Sequence, residues 1–348
     1  GKSNKYQKSK NQQKNYERCN ACSHYIESRR CKLPYWRNMK VLVSGLINIE
    51  SNVFVNNFPV EYSPIEYAFN QVSFDFSGVA YNIIKALSAL GDKTIPVSII
   101  GKDNIANLIL AELKRSKIPC DFIFQDLKTT CSSVILFDSQ GKRKIYCDLK
   151  NIQDFVIPLE KIEESLKSID GLILCNINFN DNLIKNAKKF NKPIFTDVQD
   201  LSNIFDDYNK RFLKNSDVVF LSDEKIQGNH EEFLISIYKE YKNKIIVLGQ
   251  GKTGALMLDS SENKIYSIKS VYTRPVVNTV GAGDSLFSAF VHFYLKNLSP
   301  VECLKNAVTF ASYKIGESGG AKGFLTEPEL KKTVKNLDFE IFTVRDKL

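Results

Sequence analysis

The sequence predicts an α/β protein, a mostly parallel sheet doubly covered by helices, with a smaller β excursion that serves as a lid. Three observations carry this expectation. Between Leu159 and Leu248 a helical pattern is followed by a short apolar strand four times over. Met39–Leu46 is an apolar run that reads as a buried first strand. Gly281-Ala282-Gly283-Asp284, followed by Ser285, leads into the apolar run Leu286–Val291, as a glycine turn opening a helix. Strands buried on both faces read as near-continuous apolar runs, and helices between them supply the crossovers of a parallel sheet.

Each element follows in order. After the first strand, Glu50 stands where a ligand would bind, beyond the carboxyl end of a parallel strand. A carboxylate there accepts hydrogen bonds from hydroxyl groups; a solvated loop acid is the plainer reading. Residues 52–76 alternate aromatic and polar side chains around Pro59 and Pro64, which suggests two or more strands outside the main sheet. Ser77-Gly78-Val79-Ala80-Tyr81-Asn82 opens a helix that stops at Gly91, and its small residues allow close backbone approach. A strand (Thr94–Ile100) and an amphipathic helix (Ile105–Lys117) come next. Residues 119–150 return to β character, with 133–138 and 144–148 flanking a turn at Gly141. Together, 48–76 and 119–150 are expected to form the lid.

The four helix-then-strand repeats pair Leu159–Ser168 with Gly171–Cys175, Asp181–Phe190 with Pro193–Asp197, Asp207–Asn215 with Asp217–Leu221, and Glu231–Tyr241 with Lys244–Leu248. Gly249-Gln250-Gly251-Lys252-Thr253-Gly254 then precedes a strand rather than a helix, so neither a dinucleotide fingerprint nor a Walker loop fits. A tight turn beside a nucleotide and a plain hairpin both remain open.

Composition limits the partners. The chain has 348 residues and a formal net charge of +9. Residues 1–40 hold eleven Lys/Arg against Glu17 and Glu27, so the excess lies there and the rest is balanced. Residues 1–38 read as a basic, Cys-containing leader, expected to be disordered, and residues 39–340 as the folded domain. The leader alone does not make nucleic acid the expected partner. No apolar run is long enough to span a membrane, no secretory h-region opens the sequence, and the expectation is a cytoplasmic protein. Of eight cysteines, five are scattered in apolar segments; Cys19, Cys22 and Cys31, with His24, form a candidate zinc set of unusual spacing.

The stretch from Asn278 to Ser285 carries the chemistry. Glycines at a helix start leave N–H groups uncovered where the peptide dipoles favour an anion. Asp284 lies within that site. A carboxylate beside bound phosphate suggests proton abstraction from a nucleophile attacking that phosphate, although Asp is also common in an ordinary first helical turn.

Two motifs in the right order give this chain its resemblance to a known family. Asn278-Thr279-Val280-Gly281-Ala282-Gly283-Asp284 resembles the C-terminal signature Asp-Thr-x-Gly-Ala-Gly-Asp of the ribokinase-like, or PfkB, carbohydrate kinases. Ser77, Gly78, Asn82, Gly91 and Gly101 resemble the N-terminal signature. The resemblance covers roughly residues 39–335. It implies a ribokinase-like fold with a small β lid, and transfer of the γ-phosphoryl of ATP, with Mg2+, to a primary hydroxyl of a small sugar or sugar-like substrate. Asp284 is then the general base, and Gly281, Ala282 and Gly283 form the anion hole. Glu50, Gly78 and Asn82 bind substrate, while Asp223, Gly251, Gly254 and Gly320 lie on the nucleotide side.

There are departures. Asn278 stands where the family usually has Asp near a monovalent-cation site, so K+ is an open expectation. Glu317–Gly323 lies, by the same resemblance, near adenine and that cation. The family's Asn-x-x-Glu appears as Asp223-Glu224-Lys225-Ile226, without its final acid. Tyr67, Phe69 and Phe74 of the lid suit a nucleoside base, the lid's own core or a homodimer contact. The alternatives are a nucleoside kinase of the pseudouridine or adenosine type, and a non-catalytic, metabolite-sensing regulator.

Overall fold

The computed structural model describes residues 37–348. The candidate zinc residues Cys19, Cys22 and Cys31 and the basic leader lie outside the described residues. Asn38–Leu348 forms one compact unit.

Its frame is a ten-stranded sheet in the order β14-β13-β12-β11-β10-β9-β8-β1-β4-β5. The strands are β1 (Lys40–Ser44), β4 (Lys93–Ile99), β5 (Phe122–Phe124), β8 (Gly171–Leu174), β9 (Ile194–Asp200), β10 (Val218–Ser222), β11 (Ile245–Gly249), β12 (Gly254–Asp259), β13 (Lys264–Lys269) and β14 (Ile341–Arg345). From β5 to β11 all neighbours are parallel, and β11 to β14 are antiparallel. The parallel part is what the repeated helix-then-strand pattern requires, because parallel neighbours need a crossover. The antiparallel extension is what the short turn at Gly251–Thr253 permits.

Side-chain alternation along each strand divides the core into two layers. Val41 and Val43 of β1 pack into one layer and Leu42 into the other, all fully buried. The first layer is covered by α1 (Val79–Ala89), α7 (Ala282–Leu295) and α8 (Pro300–Lys314), the second by α3 (Leu159–Ser168), α5 (Lys210–Asn215) and α6 (His230–Tyr241). The sheet is therefore doubly covered, as expected. Of the remaining helices, α2 (Asn104–Arg115) caps its N-terminus with Asp103, which accepts from the Ala106 N–H at 3.0 Å. Helix α4 (Asp181–Asn186) continues as a 3-10 turn, and α9 (Glu327–Lys335) follows the C-terminal loop.

Helix α7 is buried along nearly its whole length. Its far end is fixed by His292. The ring is fully buried between Asp92, with Nδ1 2.7 Å from Oδ2, and Glu327, with Nε2 3.1 Å from Oε2. Burial by itself lowers the histidine's pKa, but the two carboxylates prevail and raise it. This anchor matters because the other end of α7 carries Asp284.

The lid is a four-stranded sheet, β3-β2-β6-β7, from β2 (Asn48–Phe54), β3 (Val72–Ser77), β6 (Ser132–Phe137) and β7 (Arg143–Asp148). Its second half starts later than the expected residue 119. Phe122–Phe124 instead pairs with Val97–Ile99 at the edge of the large sheet. The apolar alternation of so short a strand does not reveal which sheet it joins. The folded unit also runs past residue 340, since Ile341–Arg345 adds the last strand to the large sheet.

Gly254 has a structural reason to be glycine. Its φ is +122°, and a Cβ there would lie 1.9 Å from the carbonyl oxygen of Ile268 on the paired strand β13. We expect Gly254→Ala to lower stability by about 2 kcal/mol or more, measured by thermal unfolding; an unchanged melting temperature would contradict this packing.

Candidate active site

The carboxyl ends of the parallel strands and the N-terminus of α7 define one crevice. Gly45 follows β1, Cys175 follows β8, Asp197 lies in β9, Asp223 follows β10 and Gly249 ends β11. Loops at this edge of a parallel sheet lie free of its helices, which is why ligands bind there.

Three chain segments meet at the start of α7. Gly281 takes φ +77°, and a Cβ on it would lie 2.8 Å from both Cα and the carbonyl oxygen of Gly320. A Cβ on Gly320 would in turn lie 2.7 Å from the Asn82 side-chain nitrogen. The Asn82 amide donates to Asp284 Oδ2 at 2.8 Å. Two glycines thus let the backbones close until an asparagine from one signature reaches the carboxylate of the other. Gly78, the residue before α1, has φ +100° and passes so near the segment that follows β1 that a Cβ would lie 2.3 Å from the Leu46 carbonyl oxygen.

The helix start leaves few donors satisfied, as any helix start does. The Ala282 N–H donates to the Thr279 carbonyl at 3.2 Å. That N–H is therefore partnered within its own loop. Gly283 is exposed, and a Cβ there would meet nothing within 4 Å.

The carboxyls share an electrostatic environment. Burial pushes Asp284 up from 3.8 to about 6, against the opposing effects of the Asn82 hydrogen bond and the Lys314 charge. Burial pushes Asp197 up to about 7, opposed by the Gln199 N–H that donates to it and increased by the charge of Asp284. Burial also raises the Cys175 thiol, with Asp284 and Asp197 adding to the effect.

On the lid side, Glu50 accepts from the Ser77 hydroxyl at 3.3 Å, and burial raises its pKa. Its partner across β2 and β3 is Asp75, which pairs with Lys322 at 2.7 Å. The lid is thereby tied to the loop that contains Gly320. On the other side, the Asp223 N–H donates to the Gly249 carbonyl at 3.1 Å, so the ends of β10 and β11 and the Gly251 turn form one surface. Ile226, where the resemblance expects an acid, packs against the second apolar layer. Among the described residues no group of three or more His, Cys, Asp or Glu side chains could hold a metal ion.

Asp197 and Lys314 were not among the sequence candidates. The strand-end argument used for Glu50 also applies to Asp197 and could have found it. Asn176 and Asn178, just beyond the end of β8, turn their amides into the protein, Asn176 onto Val198 O and Asn209 Oδ1 and Asn178 onto Gln153 O.

Comparison with known proteins gives the class of this chain, a phosphotransferase with an alcohol group as acceptor. Residues 38–327 match the model of the pfkB family carbohydrate kinases, and the chain belongs to that family. A ribokinase from Dictyostelium discoideum is 24% identical over 314 residues, 80% of this chain and 95% of the relative. Fructosamine kinase FrlD from Bacillus subtilis is 22% identical over 254 residues, 73% of this chain and 86% of the relative. Among solved structures, a microbiome-derived acarbose kinase superposes with a TM-score of 0.78 at 20% identity, covering 86% of this chain and 100% of its own. A ribokinase from Arabidopsis thaliana, solved with ribose and ATP, gives 0.73 at 19% identity, covering 86% and 99%. These likenesses show the ribokinase-like fold. No helix of the described residues is long and apolar enough to cross a membrane.

The raised carboxyls have a pH consequence. Between the ordinary value of 3.8 and about 7 the folded protein binds more protons at Asp197 than the unfolded chain does, so stability falls as pH rises through that window. Asp197→Asn should therefore lessen the fall in melting temperature between about pH 5 and about pH 8. Parallel curves for the two proteins would contradict the assignment.

Proposed function

We propose that this protein transfers the γ-phosphoryl group of ATP to a primary hydroxyl of a small sugar or sugar-like molecule, with Asp284 as general base. The observation that carries the reading is the Asp284 carboxyl itself. It is held by Asn82 at the N-terminus of α7 and has its pKa raised toward neutrality, where a general base is most effective.

The substrate lies between lid and sheet, with Glu50 and Asn82 accepting and donating hydrogen bonds to its hydroxyls and Gly78 keeping the backbone close. Asp284 takes the hydroxyl proton as the oxygen bonds to the γ-phosphorus and the bond to the bridging oxygen breaks, releasing ADP. The N–H groups of Gly281 and Gly283, rather than that of Ala282, face the charge that develops on the phosphoryl oxygens. ATP lies over the Gly251 turn and Asp223. Gly320 belongs to the junction with Asn82 and Gly281 and also borders the nucleotide. Gly254 contributes through the hairpin that supports this turn.

When bound with the nucleotide, magnesium would neutralise charge on the phosphates, and one or two protein carboxylates would hold it there. Asp223 and Asp197 are the carboxyls at the strand ends that suit this role. The ionic link between Asp75 and Lys322 holds the lid over the crevice, where exclusion of water limits ATP hydrolysis. The outward lid aromatics, among them Tyr67 at 79% and Phe69 at 81% exposed, suit contact with a second copy of the chain rather than the substrate.

Asp284→Asn should lower kcat by about 100-fold or more while leaving the thermal unfolding curve close to that of the wild type. ATP consumption against a panel of pentoses, hexoses, amino-substituted sugars and nucleosides identifies the acceptor. Turnover of a sugar by the wild type but not by Asp284→Asn is the expected result, whereas equal turnover by both removes Asp284 as the base. Turnover of nucleosides alone would favour the nucleoside-kinase alternative.

A further inference from the structure

Lys314 is the last residue of α8, and its side chain is 0% exposed. Burying an ammonium is costly, so a buried lysine normally faces a carboxylate at ion-pair distance. Among the described residues Lys314 has no such ion pair. Its Nζ instead donates to two main-chain carbonyls, those of Gly319 and, at 3.4 Å, Glu317. The more distant charges of Glu317, Arg274 and Asp284 also act on it. The side chain thus fills a carbonyl-lined pocket in the turn that leads to Gly320.

That turn is also where Asn278 arrives. The backbone N–H groups of Val277 and Asn278 both donate to the Ile315 carbonyl, at 2.8 and 3.0 Å. The Asn278 side-chain oxygen accepts from the Val280 N–H at 2.8 Å, within its own loop. The monovalent cation implied by the family resemblance needs oxygen ligands and a compensating negative charge. Here the acid is a neutral amide turned into its loop, and the carbonyls already hold an ammonium. These residues do not fit a bound K+.

We infer that the Lys314 ammonium is a built-in cation of the phosphoryl-transfer site. It takes the carbonyl-lined position of a monovalent ion, holds the Glu317–Gly320 turn against Gly281, and makes the protein independent of K+. Lys314 is a positioning residue, since it reaches the reacting groups only through this turn and through its field at Asp284. The inference rests on the proposed phosphoryl transfer for its catalytic meaning, but the cation itself can be tested without turnover.

The test compares thermal unfolding of the full chain in potassium chloride and in tetramethylammonium chloride at equal ionic strength, for the wild type and for Lys314→Met. The expected wild-type curves coincide. Lys314→Met should unfold at lower temperature in tetramethylammonium chloride and recover, saturably, on the order of a few degrees in potassium chloride. Crystals of the variant soaked in rubidium chloride should show an anomalous peak between the carbonyl oxygens of Glu317 and Gly319, and wild-type crystals should not. A potassium-specific stabilisation of the wild type, or a rubidium peak there, would overturn the inference. So would a Lys314→Met protein indifferent to potassium. If that variant fails to fold without potassium, recovery of folded protein when potassium is supplied supports the inference, and failure under both conditions overturns it. Because neither readout needs a substrate, an inactive substrate panel leaves this test intact.

Discussion

The close approach of Gly281, Gly320 and Asn82 is the constraint on which the site depends. A Cβ at Gly281 or at Gly320 would push apart segments whose contacts are already at van der Waals limits. Close packing of this kind transmits displacement rather than absorbing it. Separating these segments would withdraw the Asn82 amide from Asp284 and move the free N–H groups at the start of α7. The buried His292, gripped by Asp92 and Glu327, holds the opposite end of that helix. The carboxylate is thus positioned by a helix fixed at both ends.

The same packing gives Asp284 its chemistry. A solvated aspartate is a weak base near neutral pH. Removal of water raises its pKa, and Asn82 and Lys314 limit the rise so that the charged form remains accessible. Asp197 has less compensation and lies higher. A pair of carboxyls whose environments separate their pKa values is a common way of dividing roles between two acids in one crevice.

Much of this was legible in the sequence because it is local. The glycines before α7 and the small residues before α1 need no knowledge of distant contacts, and the alternation from Leu159 to Leu248 reflects the parallel sheet directly. What was not legible depends on tertiary placement. Phe122–Phe124 has the pattern of a strand, but only its pairing with β4 assigns it to the large sheet. Lys314 looks like an ordinary basic residue in the last turn of a helix, a common and favourable location. Only the folded turn shows its ammonium enclosed by carbonyls. The partnering of the Ala282 N–H likewise depends on the path of the loop from Thr279.

The central claim is that Asp284 acts as a base whose proton affinity is raised by burial and restrained by the Asn82 hydrogen bond. The most direct measurement is the pH dependence of kcat/KM for the wild type and Asn82→Ala with the same acceptor and nucleotide, so that titration of ATP is common to both. The account predicts an acid limb near pH 6 in the wild type and a limb displaced to higher pH in the variant, which lacks the hydrogen bond that favours the carboxylate. An acid limb at the same pH in both proteins would contradict it.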